Sequence, residues 1–208
     1  MKKFVGMLIL LLLSSPMVYG SWLTPLKISE ESSLPRPTIT SYGEEIFIFW
    51  KGKNLTYCTI EDKNITSYRE LQGIKADSLS TYFDGRNFHM LYSLNGSLHY
   101  ISFNKEGHIL RRASLNTISA IDPDLVVDNE GNIHMVWSED RGDGYQIYYG
   151  VKPNETGANF SEKKLTFSDL SSRRPKIGID RNGYVHVLYD EASPNIRRVG
   201  YFKIYGGR

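Results

Sequence analysis

Four copies of one phrase constrain this chain more than any other feature. The clearest copy reads Pro123-Asp-Leu-Val-Val-Asp-Asn-Glu-Gly-Asn-Ile-His-Met-Val-Trp137, and it returns as Pro175-Lys-Ile-Gly-Ile-Asp-Arg-Asn-Gly-Tyr-Val-His-Val-Leu-Tyr189. Looser copies span residues 79–92 and 37–50. The closing aromatics Trp50, Tyr92, Trp137 and Tyr189 stand 42, 45 and 52 residues apart. Within a copy the apolar pattern has the period of strands. Asp128-Asn-Glu-Gly131 breaks it with turn chemistry, because Gly supplies positive φ and Asp can bond its own backbone. A period of about 40–50 residues with several short strands per unit predicts a β-propeller array.

The third unit fixes the template. Leu125-Val-Val suits an innermost strand buried on both faces. Ile133–Trp137 and Tyr145–Val151 follow as second and third strands, and Lys164–Phe167 as a fourth. The expected fold is all-β: four blades of four antiparallel strands, with repeats at about 30–72, 73–115, 116–168 and 169–208. The last repeat has no fourth strand of its own. Residues 21–29, which hold the short run 24–29, are expected to complete that blade and close the ring, since closure removes exposed strand edges. An open four-repeat array and half of an eight-bladed dimer are the alternatives.

Residues 1–20 read as a signal peptide. Lys2 and Lys3 precede the apolar run Phe4–Leu13, and cleavage is expected before Ser21. An uncleaved anchor is the other reading. The expected product is one secreted domain, 21–208, with no membrane span. Losing two lysines takes the basic count from 25 to 23, against 23 acids, so the mature charge is zero. With no basic stripe, a nucleic-acid partner is not expected. Cys58 is the single cysteine. No disulfide can form within the chain, and its alternating segment predicts a buried structural thiol.

In a propeller, the loops entering innermost strands share one face with the loops joining second and third strands. That geometry places Arg36, Ser78, Asp122 and Arg174 just before the innermost strands. Thr38, Ser80, Asp124 and Lys176 come just after the strand starts. Arginines and aspartates converging on one mouth can bind a polyhydroxy or anionic ligand, or can pair with one another. The acidic loop Glu139–Asp143, which contains Asp140 and Arg141, and Asp190 in the last unit, reach the same face. A carboxylate pair there can serve glycoside hydrolysis or hold calcium, although a solvated loop is the simpler reading. No other cofactor is expected, and no metal site. His89, His134 and His186 hold one equivalent position in three blades, which predicts packing between blades rather than a metal triad. Sequons at Asn54, Asn64, Asn95, Asn154 and Asn159 fall in expected loops or turns and are candidate glycosylation sites.

Residues 147–161 resemble the Asp-box (BNR) hairpin of the sialidase-like propellers. Lys152, Asn154, Gly157 and Phe160 stand where that box has Ser, Asp, Gly and Trp, and only the glycine is strictly kept. The resemblance implies a secreted propeller with degenerate repeats. Sialidase-like enzymes use three arginines, a Tyr-Glu nucleophile pair and an Asp acid/base. Arg36-Pro37 and Arg173-Arg174-Pro175 are similar to the element carrying the first of those arginines, without its intervening Ile, and the remaining set has no match. The expected function is therefore a secreted binding module for a carbohydrate or another cell-surface molecule at the axial mouth. A sialidase-like glycosidase and a purely structural envelope protein are the alternatives.

Overall fold

The structure is a computed structural model that describes residues 25–29, 36–155 and 159–205. The chain divides into two compact units, residues 1–30 and 31–208. All fifteen strands fall in the second unit. Residues 1–20, where a signal peptide is expected, lie outside the described residues. Among the described residues no helix is long and apolar enough to cross a membrane.

The strands form four antiparallel sheets in chain order. The first holds β1 (Thr38–Tyr42), β2 (Glu45–Lys51), β3 (Leu55–Glu61) and β4 (Asn64–Leu71). The second holds β5 (Ser78–Phe83), β6 (Phe88–Leu94), β7 (Ser97–Phe103) and β8 (Ile109–Ser114). The third holds β9 (Ala120–Val127), β10 (Ile133–Asp140), β11 (Tyr145–Lys152) and β12 (Ser161–Lys164). The fourth holds β13 (Ser171–Ile179), β14 (Tyr184–Ser193) and β15 (Ile196–Tyr205). Each is a simple meander, as the repeat predicts. Of the fourth strand expected from residues 21–29, residues 21–24 lie outside the described residues; residues 25–29 carry no strand, and the last sheet has three strands among the described residues.

The sheets pack face to face through one recurring cross-strand pair. Phe49 faces Tyr57, Leu91 faces Tyr100, and Val136 faces Tyr149, each a second-strand residue opposite a third-strand tyrosine. All six are buried under the next sheet. Three separate apolar clusters result, one at each junction between consecutive sheets. In the last sheet the same pair is Leu188 and Tyr201, and these are 50% and 54% exposed. Trp137 is fully buried at the second junction, stacked on Tyr148 and beside Phe160. Gly150 makes room for this: a Cβ there would stand 2.5 Å from the Phe160 ring. Cys58 is a free, buried cysteine, and burial pushes its thiol pKa up.

The recurrent histidines differ from expectation in an instructive way. Each bonds within its own sheet. His134 Nε2 lies 3.1 Å from Asp128 Oδ2, and Nδ1 lies 2.7 Å from the Tyr149 hydroxyl. His89 joins Asp84 (3.0 Å) to Tyr100 (2.8 Å), and His186 joins Asp180 (3.1 Å) to Tyr201 (2.8 Å). The carboxylate is acceptor-only, so Nε2–H donates to it and Nδ1 accepts from the tyrosine O–H. The relay ties the β-turn of each unit to its third strand. In the first sheet Phe47 stands at the histidine position, and the equivalent Tyr57 O–H donates instead to the Lys105 carbonyl at 2.7 Å.

These relays have a pH signature. Burial raises the pKa values of Asp84, Asp128 and Asp180. Hydrogen bonds from neighbouring backbone N–H groups and from the histidine, with an Asn132 side-chain bond at Asp128, outweigh burial and leave all three lowered. A depressed folded-state value contributes stability above the unfolded value of about 3.9, and that contribution is lost as pH falls through the folded values. Thermal melts should therefore show the melting temperature insensitive to these groups above about pH 5 and falling below about pH 4. Asp128→Asn should flatten the acid limb, and an unchanged limb would refute the assignment.

Candidate functional site

The innermost strands β1, β5, β9 and β13 bring their N-terminal ends around one cavity of about 740 Å³. Its lining includes Arg36, Thr38, Asp77, Ser78, Asp122, Arg173, Arg174, Lys176 and Asp190. Five of the eight candidate residues, Arg36, Asp122, Arg174, Lys176 and Asp190, line this cavity. Arg173 and Asp77 were not among the candidates. Arg173 sits in a visible Arg-Arg-Pro run, whereas Asp77 lies in a turn with no distinguishing motif.

The position of two candidates requires correction. Asp122 and Arg174 do not precede their strands but lie inside β9 and β13. Each opens a β-bulge. The ladder passes from Val136↔Asp124 to Ser138↔Ile121, so Asp122 and Pro123 together face Trp137. Likewise Arg174 and Pro175 together face Tyr189. Proline has no N–H for the ladder, so a bulge is where an innermost strand can take it. Both residues before the prolines adopt left-handed backbone, with φ of 52° at Asp122 and 53° at Arg174. Such non-glycine positions cost about 1–3 kcal/mol each and gather where a side chain must be re-aimed.

Most of the charges at the mouth are paired. Arg174 Nη2 lies 2.8 Å from Asp190 Oδ2, and Arg173 Nε lies 3.6 Å from Asp122 Oδ2. The latter is an ion pair too long for a hydrogen bond, and Asp122 Oδ2 is buried without a hydrogen-bond partner among the described residues. The Arg173 guanidinium also sits 4.6 Å above the Tyr145 ring. Asp124 lies behind the lining. Its Oδ1 accepts the Ser80 hydroxyl at 2.5 Å, its Oδ2 accepts the Ile177 N–H at 3.1 Å, and Lys176 Nζ lies 3.5 Å away. Asp124 therefore fastens the second, third and fourth sheets together beneath the mouth.

Asp140 and Arg141 do not line the cavity. Asp140 Oδ1 accepts the N–H groups of Gly142 and Gly144 and so caps its own loop. Arg141 is held by Glu139 and Glu162, each at 2.9 Å, with its guanidinium 4.2 Å from the Tyr148 ring centroid. Glu139, which the sequence placed in a solvated acidic loop, is fully buried. It accepts from Trp137 Nε1 at 2.9 Å and from the Ile118 N–H at 3.0 Å. Among the described residues no group of three or more His, Cys, Asp or Glu side chains is placed to hold a metal ion.

Of the sequon asparagines, Asn64, Asn95, Asn154 and Asn159 are exposed and Asn54 is partly buried. Asn64 is the first residue of β4, and the others lie between strands. Within the Asp-box-like segment, Asn154 donates to the Glu130 carbonyl at 3.1 Å. Phe160 packs beside Trp137, while Gly157 lies outside the described residues.

No protein-family model matches the chain, and no curated protein sequence does. Solved structures resemble it at low identity. The subtype N11 neuraminidase-like protein of A/flat-faced bat/Peru/033/2010 (H18N11) is similar at a TM-score of 0.53 and 12% identity, covering 85% of this chain and 56% of that one. The NanB sialidase from Streptococcus pneumoniae, as its K499G mutant, gives 0.54 and 11%, covering 79% and 29%. The α-L-arabinofuranosidase PaAbf62A from Podospora anserina, in complex with cellotriose, gives 0.52 and 14%, covering 80% and 62%. The chain thus spans less than two thirds of each of these structures. Likeness at this identity carries the fold alone: the second unit has a sialidase-like β-propeller fold.

Proposed function

We propose that the protein is a secreted carbohydrate-binding propeller whose four sheets act as four blades around the axial cavity. The single observation that carries this reading is the cavity itself. Four innermost strands converge on about 740 Å³ lined by arginine, aspartate and serine, and two strained bulges turn Asp122 and Arg174 into it. Arginine offers planar paired donors and aspartate accepts from hydroxyls, the combination that a polyhydroxy ligand satisfies. The pairing of Arg173 with Asp122 and of Arg174 with Asp190 leaves polar capacity with little net charge. That balance favours a neutral sugar over a polyanion. The similar structures that are named as a sialidase and an arabinofuranosidase fit a carbohydrate-related role.

A glycan array followed by calorimetry tests the reading. Arg173→Ala and Asp122→Asn should each weaken the bound saccharide about tenfold, the loss of roughly 1.4 kcal/mol of hydrogen bonding. Absence of any saccharide ligand overturns the reading. Turnover of chromogenic glycosides would replace it with the glycosidase alternative.

A further inference from the structure

Two loops that enter innermost strands each hold a large apolar side chain out in solvent at matching places. Between β8 and β9, Thr117 Oγ1 accepts the Leu98 N–H at 2.8 Å, and the next residue, Ile118, is 69% exposed. Between β12 and β13, Thr166 Oγ1 accepts the Ile147 N–H at 2.8 Å, and the next residue, Phe167, is 79% exposed. The second loop is the more firmly built. Buried Gln146 accepts the Thr166 O–H at 2.7 Å and donates to the Ser168 carbonyl at 2.7 Å. Phe167 is thus gripped by its two neighbours and turned outward. The Lys164 ammonium, itself paired with Asp143, sits 5.2 Å from the Phe167 ring centroid. An aromatic ring held this way presents a rigid apolar surface with little ordering left to do on binding.

Phe167 lies four residues before Ser171, which lines the cavity. Four residues of extended chain reach at most about 14 Å, so Phe167 lies within that reach of the cavity lining, on the loop that leads into β13. We infer that Phe167 forms an outer subsite that stacks on the apolar face of a sugar ring outside the cavity. The ligand class is then an oligosaccharide lying from the cavity across the rim, rather than a single sugar. This inference rests on the carbohydrate reading above.

The test measures affinity by calorimetry for glucose, cellobiose and cellotriose, and for the matching xylose and arabinose series. Wild-type affinity should rise with chain length. Phe167→Ala should weaken the longer members about three- to tenfold and leave the monosaccharide unchanged, and Phe167→Trp should restore the loss. If Phe167→Ala binds every member like wild type while Arg173→Ala still loses affinity, the rim subsite is wrong and the cavity reading stands. If no member of any series binds, both are overturned.

Discussion

Glu139→Ala should cost about 3–5 kcal/mol of folding stability, because two hydrogen bonds to a buried charged acceptor, each worth about 1.5–3 kcal/mol, are lost with it. The carboxylate is fully buried and receives three donors: the Trp137 indole N–H, the Ile118 backbone N–H and the Arg141 guanidinium. Removing it leaves the Trp137 N–H without a partner in the core of the junction between the second and third sheets, and takes the acceptor from the part-buried Ile118 N–H. For a domain of this size each kcal/mol moves the melting temperature by about 2–4 °C, so a fall of roughly 6–20 °C is expected. Glu139→Gln keeps an acceptor for one N–H and should lose less. Thermal and urea unfolding decide this, and a Glu139→Ala protein within 1 kcal/mol of wild type would show that the latch is ornamental.

His134→Phe should cost about 1–3 kcal/mol, because the buried Tyr149 hydroxyl loses its acceptor. Burial already pushes the Tyr149 pKa up to about 12, so ionisation offers no escape. The first repeat supplies a natural control: Phe47 occupies the histidine position there, and Tyr57 has found the Lys105 carbonyl instead. Among the described residues the Tyr149 hydroxyl has no such second acceptor. The double variant His134→Phe with Tyr149→Phe should therefore recover much of the loss, since removing both partners leaves no orphan hydroxyl. Urea unfolding of the three variants gives the coupling energy directly. Additive losses would mean that the relay contributes packing alone.

The repeat made the architecture legible before any coordinate was known. Strand-period apolar runs, Asp-x-x-Gly turns and closing aromatics recur at near-constant spacing, and local pattern alone suffices to specify such units. The grouping of five candidate residues around one cavity was legible for the same reason, because a repeat places equivalent residues at equivalent ends. The sequence by itself thus determined an all-β array of four meanders and the neighbourhood of Arg36, Asp122, Arg174, Lys176 and Asp190. What it could not determine are relations between residues far apart in the chain. Whether Asp122 precedes or interrupts its strand depends on a bulge opposite Trp137, which is a matter of register. Whether Glu139 is solvated or buried depends on a donor 21 residues earlier, the Ile118 N–H. The partners of the three histidines depend on which strand lies beside which. These are long-range pairings set when the sheets assemble, and only the tertiary structure decided them, because hydrogen-bond partners are chosen by geometry across strands and not by composition along one.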